Sequence, residues 1–193
     1  MAGLIGSFVL VYIAGHAVQS TWTFITIEKF QWSEAMIGYS LGMVGILVAI
    51  VQGGLIRFIN PRLGNERSVY IGITLYALGL LLFAFASQTW MMFAFLVPYC
   101  LGGIAGPALQ SIISGEVPSN EQGELQGALT SLMSATSIVG PLVMTNLFAF
   151  FTKSDAPVRF AGAPFLLGAV LMLLSAILSY MALHSRKVLI KQK

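Results

Sequence analysis

His16, Gln19, Ser20 and Thr23 recur at three- and four-residue spacing, which places them on one face of an α-helix. The set is an imidazole, an amide that donates and accepts, and two hydroxyls. An imidazole with an ordinary pKa of about 6.5 can also exchange a proton near neutral pH. Two uses are open for such a face: lining a substrate cavity, or hydrogen-bonding to neighbouring helices. Trp22 lies next to it, suited to stacking on a flat ring or to anchoring at a membrane interface. A second polar line holds Gly127, Thr130, Ser131, Ser134, Ser137 and Pro141, then Asn146. Its hydroxyls could bond to their own helix carbonyls, but its length and regular spacing favour a water-facing wall. Gln110 shares a helix face with Gly103 and Gly106.

Nearly all of these residues sit in apolar runs. Six such runs fill the chain of 193 residues: about Leu4–Phe24, Ser33–Ile56, Ser68–Ala86, Trp90–Ile113, Gln122–Phe151 and Phe160–Leu183. Each approaches the roughly 20 residues that cross a bilayer core. The hydrophobic fraction is 57%, the charged fraction 9% and the mean hydropathy +0.86. Soluble domains carry about 25% charged residues, so this chain cannot cover a water-facing surface. The fold class expected is all-α, an integral membrane bundle of six transmembrane helices spanning 1–185, with a basic cytoplasmic tail at 186–193. A cleavable signal peptide is not expected, because the first run lacks a basic leader and five more follow.

Charge placement orients the bundle. Arg57, Arg62 and Arg67 follow the second run, and Arg186, Lys187, Lys191 and Lys193 follow the sixth, so seven of the ten basic residues share one side. Lys29, Lys153 and Arg159 fall on the other. Basic loops stay inside, which puts both termini in the cytoplasm of a multi-pass protein of the inner (plasma) membrane. No stripe of basic residues suits nucleic acid, and the lone Cys100 cannot form an intrachain disulfide.

Small residues and prolines mark close packing or movement. Gly102 and Gly106 form a small-xxx-small pair, and Pro107 interrupts a helix hydrogen bond, which suits either close packing or a gate. Gly140 and Pro141 repeat the combination in the fifth run. Gly38, Gly42 and Gly45 share a face of the second, where close helix approach is favoured. Gln52 is a pathway residue or an interfacial one. Ser119 and Gln122 fit a capping box at the start of the fifth run. The third and sixth runs carry few polar groups; Gly168, Ser175 and Ser179 leave the sixth as a lipid-facing support. No Asp, Glu, Lys or Arg falls at the middle of any run, which leaves His16 as the candidate for proton coupling and Glu34 as a weaker one. No paired carboxylates, metal cluster, nucleophile motif or GxxxxGK[ST] loop is present, so no enzyme activity, metal or cofactor is expected.

Several stretches carry a resemblance. Gly15-His16-Ala17-Val18-Gln19-Ser20-Thr21-Trp22, followed by Glu28-Lys29-Phe30-Gln31-Trp32, resembles the seventh helix and following loop of major facilitator superfamily drug exporters, in the tetracycline-resistance branch. Gly106-Pro107-Ala108-Leu109-Gln110 and Glu121-Gln122-Gly123-Glu124-Leu125-Gln126-Gly127 resemble the tenth helix and the start of the eleventh. Gly54 through Arg62-Leu63-Gly64-Asn65-Glu66-Arg67 looks like a degenerate second copy of the superfamily's cytoplasmic loop motif, without its usual Asp. The resemblance implies the C-terminal half of a drug:proton antiporter, built of two inverted three-helix repeats. It implies that the first, second, fourth and fifth helices face the cavity, that the proton gradient is the driving force, and that tetracycline-like drugs are the substrate. An N-terminal six-helix half, or a second copy of this chain, would then supply the opposing wall. A non-transporting six-span assembly or regulatory protein, and a same-fold transporter of sugars or peptides, are the competing expectations.

Overall fold

The computed structural model describes residues 1–191, with side chains as far as His184. The described residues form helices and connecting turns. These are α1 (Ala2–Phe30), α2 (Glu34–Val48), a π-helical segment (Ala49–Leu55), α3 (Ile56–Leu63), α4 (Asn65–Phe85), α5 (Thr89–Gly102), α6 (Ala105–Ser114), a 3-10 turn (Ser119–Glu121), α7 (Gln122–Thr152) and α8 (Ala163–Lys191). They group into six spans long and apolar enough to cross a membrane: Ala2–Phe30, Glu34–Leu63, Asn65–Phe85, Thr89–Ser114, Ser119–Thr152 and Ala163–His184. The fold is thus the expected all-α bundle. Of the basic tail, 186–191 continue the backbone of α8, while Lys193 lies outside the described residues.

Lipid tails solvate an apolar helix as well as another helix does, so association rests on close packing and interhelical hydrogen bonds. Both are present. Gly102 abuts the backbone of Tyr76, where an added Cβ would meet the Tyr76 Cα at 2.6 Å. Gly79 abuts Tyr99 in the same way, at 2.7 Å, and Gly72 abuts the Ala105 nitrogen at 2.7 Å. These three glycines bring α4 against α5 and α6 backbone to backbone. Between α1 and α8 the joint is polar. Ser7 Oγ lies 2.6 Å from both Ser175 Oγ and Ser179 Oγ, and Ser175 Oγ donates to the Ser7 carbonyl at 3.1 Å. All three serines are fully buried.

Aromatic packing closes the end of the bundle opposite the chain termini. The Trp22 ring meets Phe83 edge-on at 5.2 Å, and Trp32 stacks on Phe93 at 5.4 Å. Each indole N–H has a partner: Trp22 Nε1 donates to Ser40 Oγ at 2.9 Å and Trp32 Nε1 to Thr89 Oγ1 at 3.0 Å. At the α1 terminus Gln31 takes a left-handed conformation (φ 54°), and the Trp32 N–H reaches back to the Thr26 carbonyl. Gly64, at φ 78°, makes the turn between α3 and α4 where a side chain would be strained.

Several sequence expectations change. The second run does not stop at Ile56: it passes through the π-helical segment into α3, so Arg57 and Arg62 lie on a helix. The fourth run breaks at Gly103–Ile104, and Pro107 sits third in the new helix α6, where its missing N–H costs nothing. Ser119 and Gln122 form no capping box. The Gln122 side chain instead donates to the Ser114 and Val117 carbonyls, both at 2.7 Å, closing the frayed end of α6. Gly38, Gly42, Gly45 and Gly106 have nothing within 4 Å of an added Cβ, so close approach within this chain is not their use. The sixth span is no plain lipid-facing support, because its serines form the buried joint with α1, and the third owes its place to Gly72 and Gly79.

A matched pair of substitutions separates packed from open glycines. Gly102→Ala is expected to destabilise the bundle by about 1–3 kcal/mol through overpacking against Tyr76. Gly106→Ala is expected to be neutral or stabilising by up to about 1 kcal/mol, from helix propensity alone. Thermal unfolding of the detergent-solubilised protein, followed by monodisperse recovery on size exclusion, reads both.

Candidate functional site

Two hollows open where α1, the π-helical segment, α4 and the break between α5 and α6 converge. The first, of about 440 Å³, is bounded by His16 and Gln19 of α1, Gly103, Gly106 and Pro107 at the break, and Met133 and Ser137 of α7. The second, of about 360 Å³, is bounded by Trp22 and Thr23 of α1, Leu41, Val44 and Val48 of α2, and Tyr99 and Cys100 of α5. Gln19, Gln52, Tyr76 and Gly103 line both, so the hollows are two lobes divided by two amides and a phenol. The α1 lining residues run from Val11 to Thr23, around the middle of the helix Ala2–Phe30.

Local backbone irregularity builds these walls. A π-helical turn carries one extra residue and redirects the side chains around it. Here it presents Gln52, which is exposed towards both lobes. On the opposite wall, the interruption at Gly103–Ile104 leaves a notch, and Gly106 keeps it clear. Irregular backbone at membrane depth is tolerated where it lines such a cavity.

His16 is held by shape. A methyl at position 140 would come within 2.5 Å of its Cδ2 and 2.8 Å of its Cβ, so only glycine on α7 leaves room for the ring. Gly140 is fully packed and Pro141 follows it half-buried. The imidazole is therefore seated in a glycine notch while it faces the first lobe.

The structure brings together only part of the set named from sequence. His16, Gln19, Trp22, Gly102, Gly106 and Pro107 border the lobes. Trp22 is 2% exposed with its indole N–H taken by Ser40, so no ring face is free for stacking on a ligand. Ser20 donates to the His16 carbonyl of its own helix. Gln110 is drawn away from the lobes and donates to Gln126 Oε1 at 2.9 Å, and Gln126 in turn donates to Ser114 Oγ at 3.1 Å. Thr130, Ser131 and Ser134 are exposed on α7 outside both lobes. Ser131 and Ser134 donate to the carbonyls of Gly127 and Thr130, which satisfies them within the helix. Among residues not singled out from sequence, Tyr76 and Tyr99 stand on the cavity wall. An apolar run with a tyrosine looks the same whether the ring faces lipid or a cavity; the nearby glycines were the available signal.

The chemistry on offer is hydrogen bonding without full charge. Among the described residues bordering the lobes are amides, phenols, hydroxyls and one imidazole, and no carboxylate, lysine or arginine. No group of three or more His, Cys, Asp or Glu is placed to hold a metal among the described residues. Two ion pairs lie at one end, outside the lobes: Arg159 with Glu28 and Lys153 with Asp155, each at 3.3 Å and each exposed. Exposed pairs of this kind contribute about 0–1 kcal/mol.

Comparison with known proteins points one way. The profile of the Major Facilitator Superfamily matches residues 3–193. The class C tetracycline resistance protein of Escherichia coli is 38% identical over 149 residues, covering 77% of this chain and 38% of that protein. The class H tetracycline resistance protein of Pasteurella multocida is 31% identical over 183 residues, covering 95% of this chain and 44% of its own length. Among solved structures, the human organic anion transporter MFSD10 (TETRAN) superposes with a TM-score of 0.76 at 25% identity, over 92% of this chain and 39% of that one. The chain thus spans about two fifths of the length of the relatives it matches.

The His16–Gly140 fit is open to a double-mutant cycle. Gly140→Ala alone is expected to lower stability by about 1–3 kcal/mol, because the ring must leave its notch. In a His16→Ala background the same change should cost less, with a coupling of about 0.5–3 kcal/mol between the two positions. Chemical or thermal unfolding in detergent measures each corner.

Proposed function

This chain belongs to the Major Facilitator Superfamily, a multi-pass membrane transporter family, and from that premise we propose that it is one six-helix half of a proton-coupled exporter of small amphipathic drugs such as tetracycline. The observation that carries the proposal is the two-lobed, uncharged, hydrogen-bonding hollow at mid-span. Secondary transporters bind substrate near the midplane, where broken or irregular helices meet. Two irregular segments at mid-span, Ala49–Leu55 and Gly103–Ile104, border that hollow. The tetracycline resistance proteins among the relatives and the organic anion transporter among the solved structures support a drug-sized organic substrate.

In this proposal Gln19 and Gln52 orient the substrate by hydrogen bonds. His16, the only imidazole at the hollow, takes the proton whose return drives export, with the proton gradient in place of any cofactor. Its glycine notch keeps the ring in one position while its edge stays on the first lobe. Thr130, Ser131 and Ser134 fall on the rim of α7, where substrate would pass between two halves.

The opposing wall comes from a second six-helix body, an N-terminal half or another copy of this chain. In the most apolar 18-residue stretch of the third and fourth spans half of the residues are buried, against 6% in the second and 17% in the fifth. The second and fifth spans therefore present the least covered surfaces. The α2 surface holds Gly38, Gly42 and Gly45, open to a partner helix. Residues 1–185 form the transmembrane domain and 186–193 a basic tail. The basic residues that follow the second and sixth spans in the sequence support a cytoplasmic position for that end and both termini, in the inner (plasma) membrane.

Tetracycline accumulation in cells expressing the complete reading frame tests the proposal. Lower accumulation, reversed by collapse of the proton gradient, is expected; unchanged accumulation would favour a non-transporting assembly role instead. His16→Ala, with insertion into the membrane verified, is expected to cut proton-driven efflux by about 5- to 150-fold, the usual span of a coupling free energy between two sites. Undiminished efflux in that variant would remove His16 from the proton path.

A further inference from the structure

We propose that Tyr76 and Tyr99 form a preorganised hydrogen-bond donor in the wall of the second lobe, which selects ligands carrying an oxygen acceptor on an apolar ring system. The inference rests on the substrate hollow proposed above and adds two specificity-determining residues to it.

The two phenols are joined by a single bond, Tyr76 Oη donating to Tyr99 Oη at 3.1 Å. Two hydroxyls carry two protons and one bond uses one of them, whichever way it runs. Among the described residues neither hydroxyl donates to a further acceptor. One proton of the pair is therefore left over in an apolar setting, where an unmade hydrogen bond is costly. Both tyrosines border the second lobe, and Tyr76 borders the first as well. The surplus proton has the lobes as its open side.

The pair is also held rigidly. Gly102 abuts the Tyr76 backbone and Gly79 the Tyr99 backbone, so each tyrosine stands against a glycine of the other helix. This reciprocal fit sets the ring centroids 4.7 Å apart at 50°. Phe83 backs Tyr99 at 5.5 Å. On the α1 side, a methyl on Gly15 would come to 3.4 Å from Tyr76 Oη, an ordinary van der Waals distance, so α1 lies close beside the hydroxyl. Donors fixed in this way lose little entropy when they bind, which is what makes them selective.

The lobe defines the ligand class. Its remaining surface is largely apolar, from Val18, Leu41, Val44 and Val48. No carboxylate borders it among the described residues, so this half offers a cation no countercharge. An acceptor oxygen, carbonyl or phenolate, on a flat apolar frame satisfies both the surplus proton and the apolar walls. An analogue lacking that oxygen would leave the donor buried and unpaired, the arrangement that discriminates most strongly between similar ligands.

Tetracycline, which carries ring carbonyl and phenolic oxygens, serves as the probe. Its dissociation constant is measured by fluorescence on the purified complete reading frame for wild type, Tyr76→Phe, Tyr99→Phe and the double variant. In parallel, modification of Cys100, the chain's single cysteine and part of the same lobe, is followed by mass spectrometry with and without tetracycline. Phenylalanine keeps the rings and their packing. The expected result is binding weakened about three- to tenfold in the double variant, one neutral hydrogen bond's worth, with less loss in each single variant, which keeps one phenolic proton. Bound tetracycline should slow Cys100 modification. Wild-type affinity in the double variant, or Cys100 modification indifferent to tetracycline, would overturn the inference while wild-type export still upholds the transporter proposal. Absence of both binding and export in wild type would overturn the two together.

Discussion

Backbone proximity between α4 and α5 is the constraint on which the rest of this bundle depends. Helices in hydrocarbon gain little from hiding apolar side chains from one another, because the tails around them are equally apolar. What remains is dispersion at short range and a few satisfied polar groups. Gly72, Gly79 and Gly102 supply the first by removing the side chains that would hold the backbones apart. The Ser7–Ser175–Ser179 cluster supplies the second, tying α1 to α8 through hydroxyls that would otherwise be stranded. With α4, α5, α1 and α8 locked in this way, α2 and α7 are left at the edge with much of their surface uncovered.

The same economy explains the cavity. Two mid-span departures from regular helix border it. The π-helical segment turns Gln52 towards both lobes; the break after Gly102 leaves a notch beside Gly103 and Gly106. The His16 ring is accommodated by a missing side chain on α7. The site thus owes its volume to glycines and its polarity to uncharged groups, and its walls are set by the packing that holds the bundle together.

The six spans were legible in the sequence because hydrophobic length is a composition signal that needs no tertiary information, but some ends were not: the first helix runs on to Phe30 and the second span to Leu63, through polar residues that packing and turns accommodate. The mid-helix placement of His16 and Gln19 was legible for the same reason, from spacing alone. Other features were not. Ser131 and Ser134 look like a wetted wall in the sequence, yet their hydroxyls close on carbonyls of their own helix, a choice that spacing cannot distinguish. Gln110 has the look of a cavity amide, but Gln126, sixteen residues on, captures it. Trp22 has the look of a stacking platform and is instead sealed by Ser40, Phe83 and Trp32. Tyr76 and Tyr99 were invisible because their role depends on which glycine each faces across a helix pair, and a single sequence does not state that pairing. The Gly102–Gly106 motif divides for the same reason: one member packs and the other stays open.

The π-helical segment carries a consequence for length variation. One residue more than an α-helix needs is stored between Ala49 and Leu55, and each residue of an α-helix turns the chain by about 100° and advances it by about 1.5 Å. Deleting a single residue there would let the span close into continuous α-helix with its hydrogen-bond ladder intact, which is a gentler event than a deletion elsewhere in the bundle. Phase would be kept: a π turn holds about one residue more than an α turn, so everything from Ile56 onward, Arg57 and Arg62 included, would retain its azimuth. Homologues one residue shorter in this stretch should therefore keep their basic residues on the same facing and lose only the widened turn that presents Gln52.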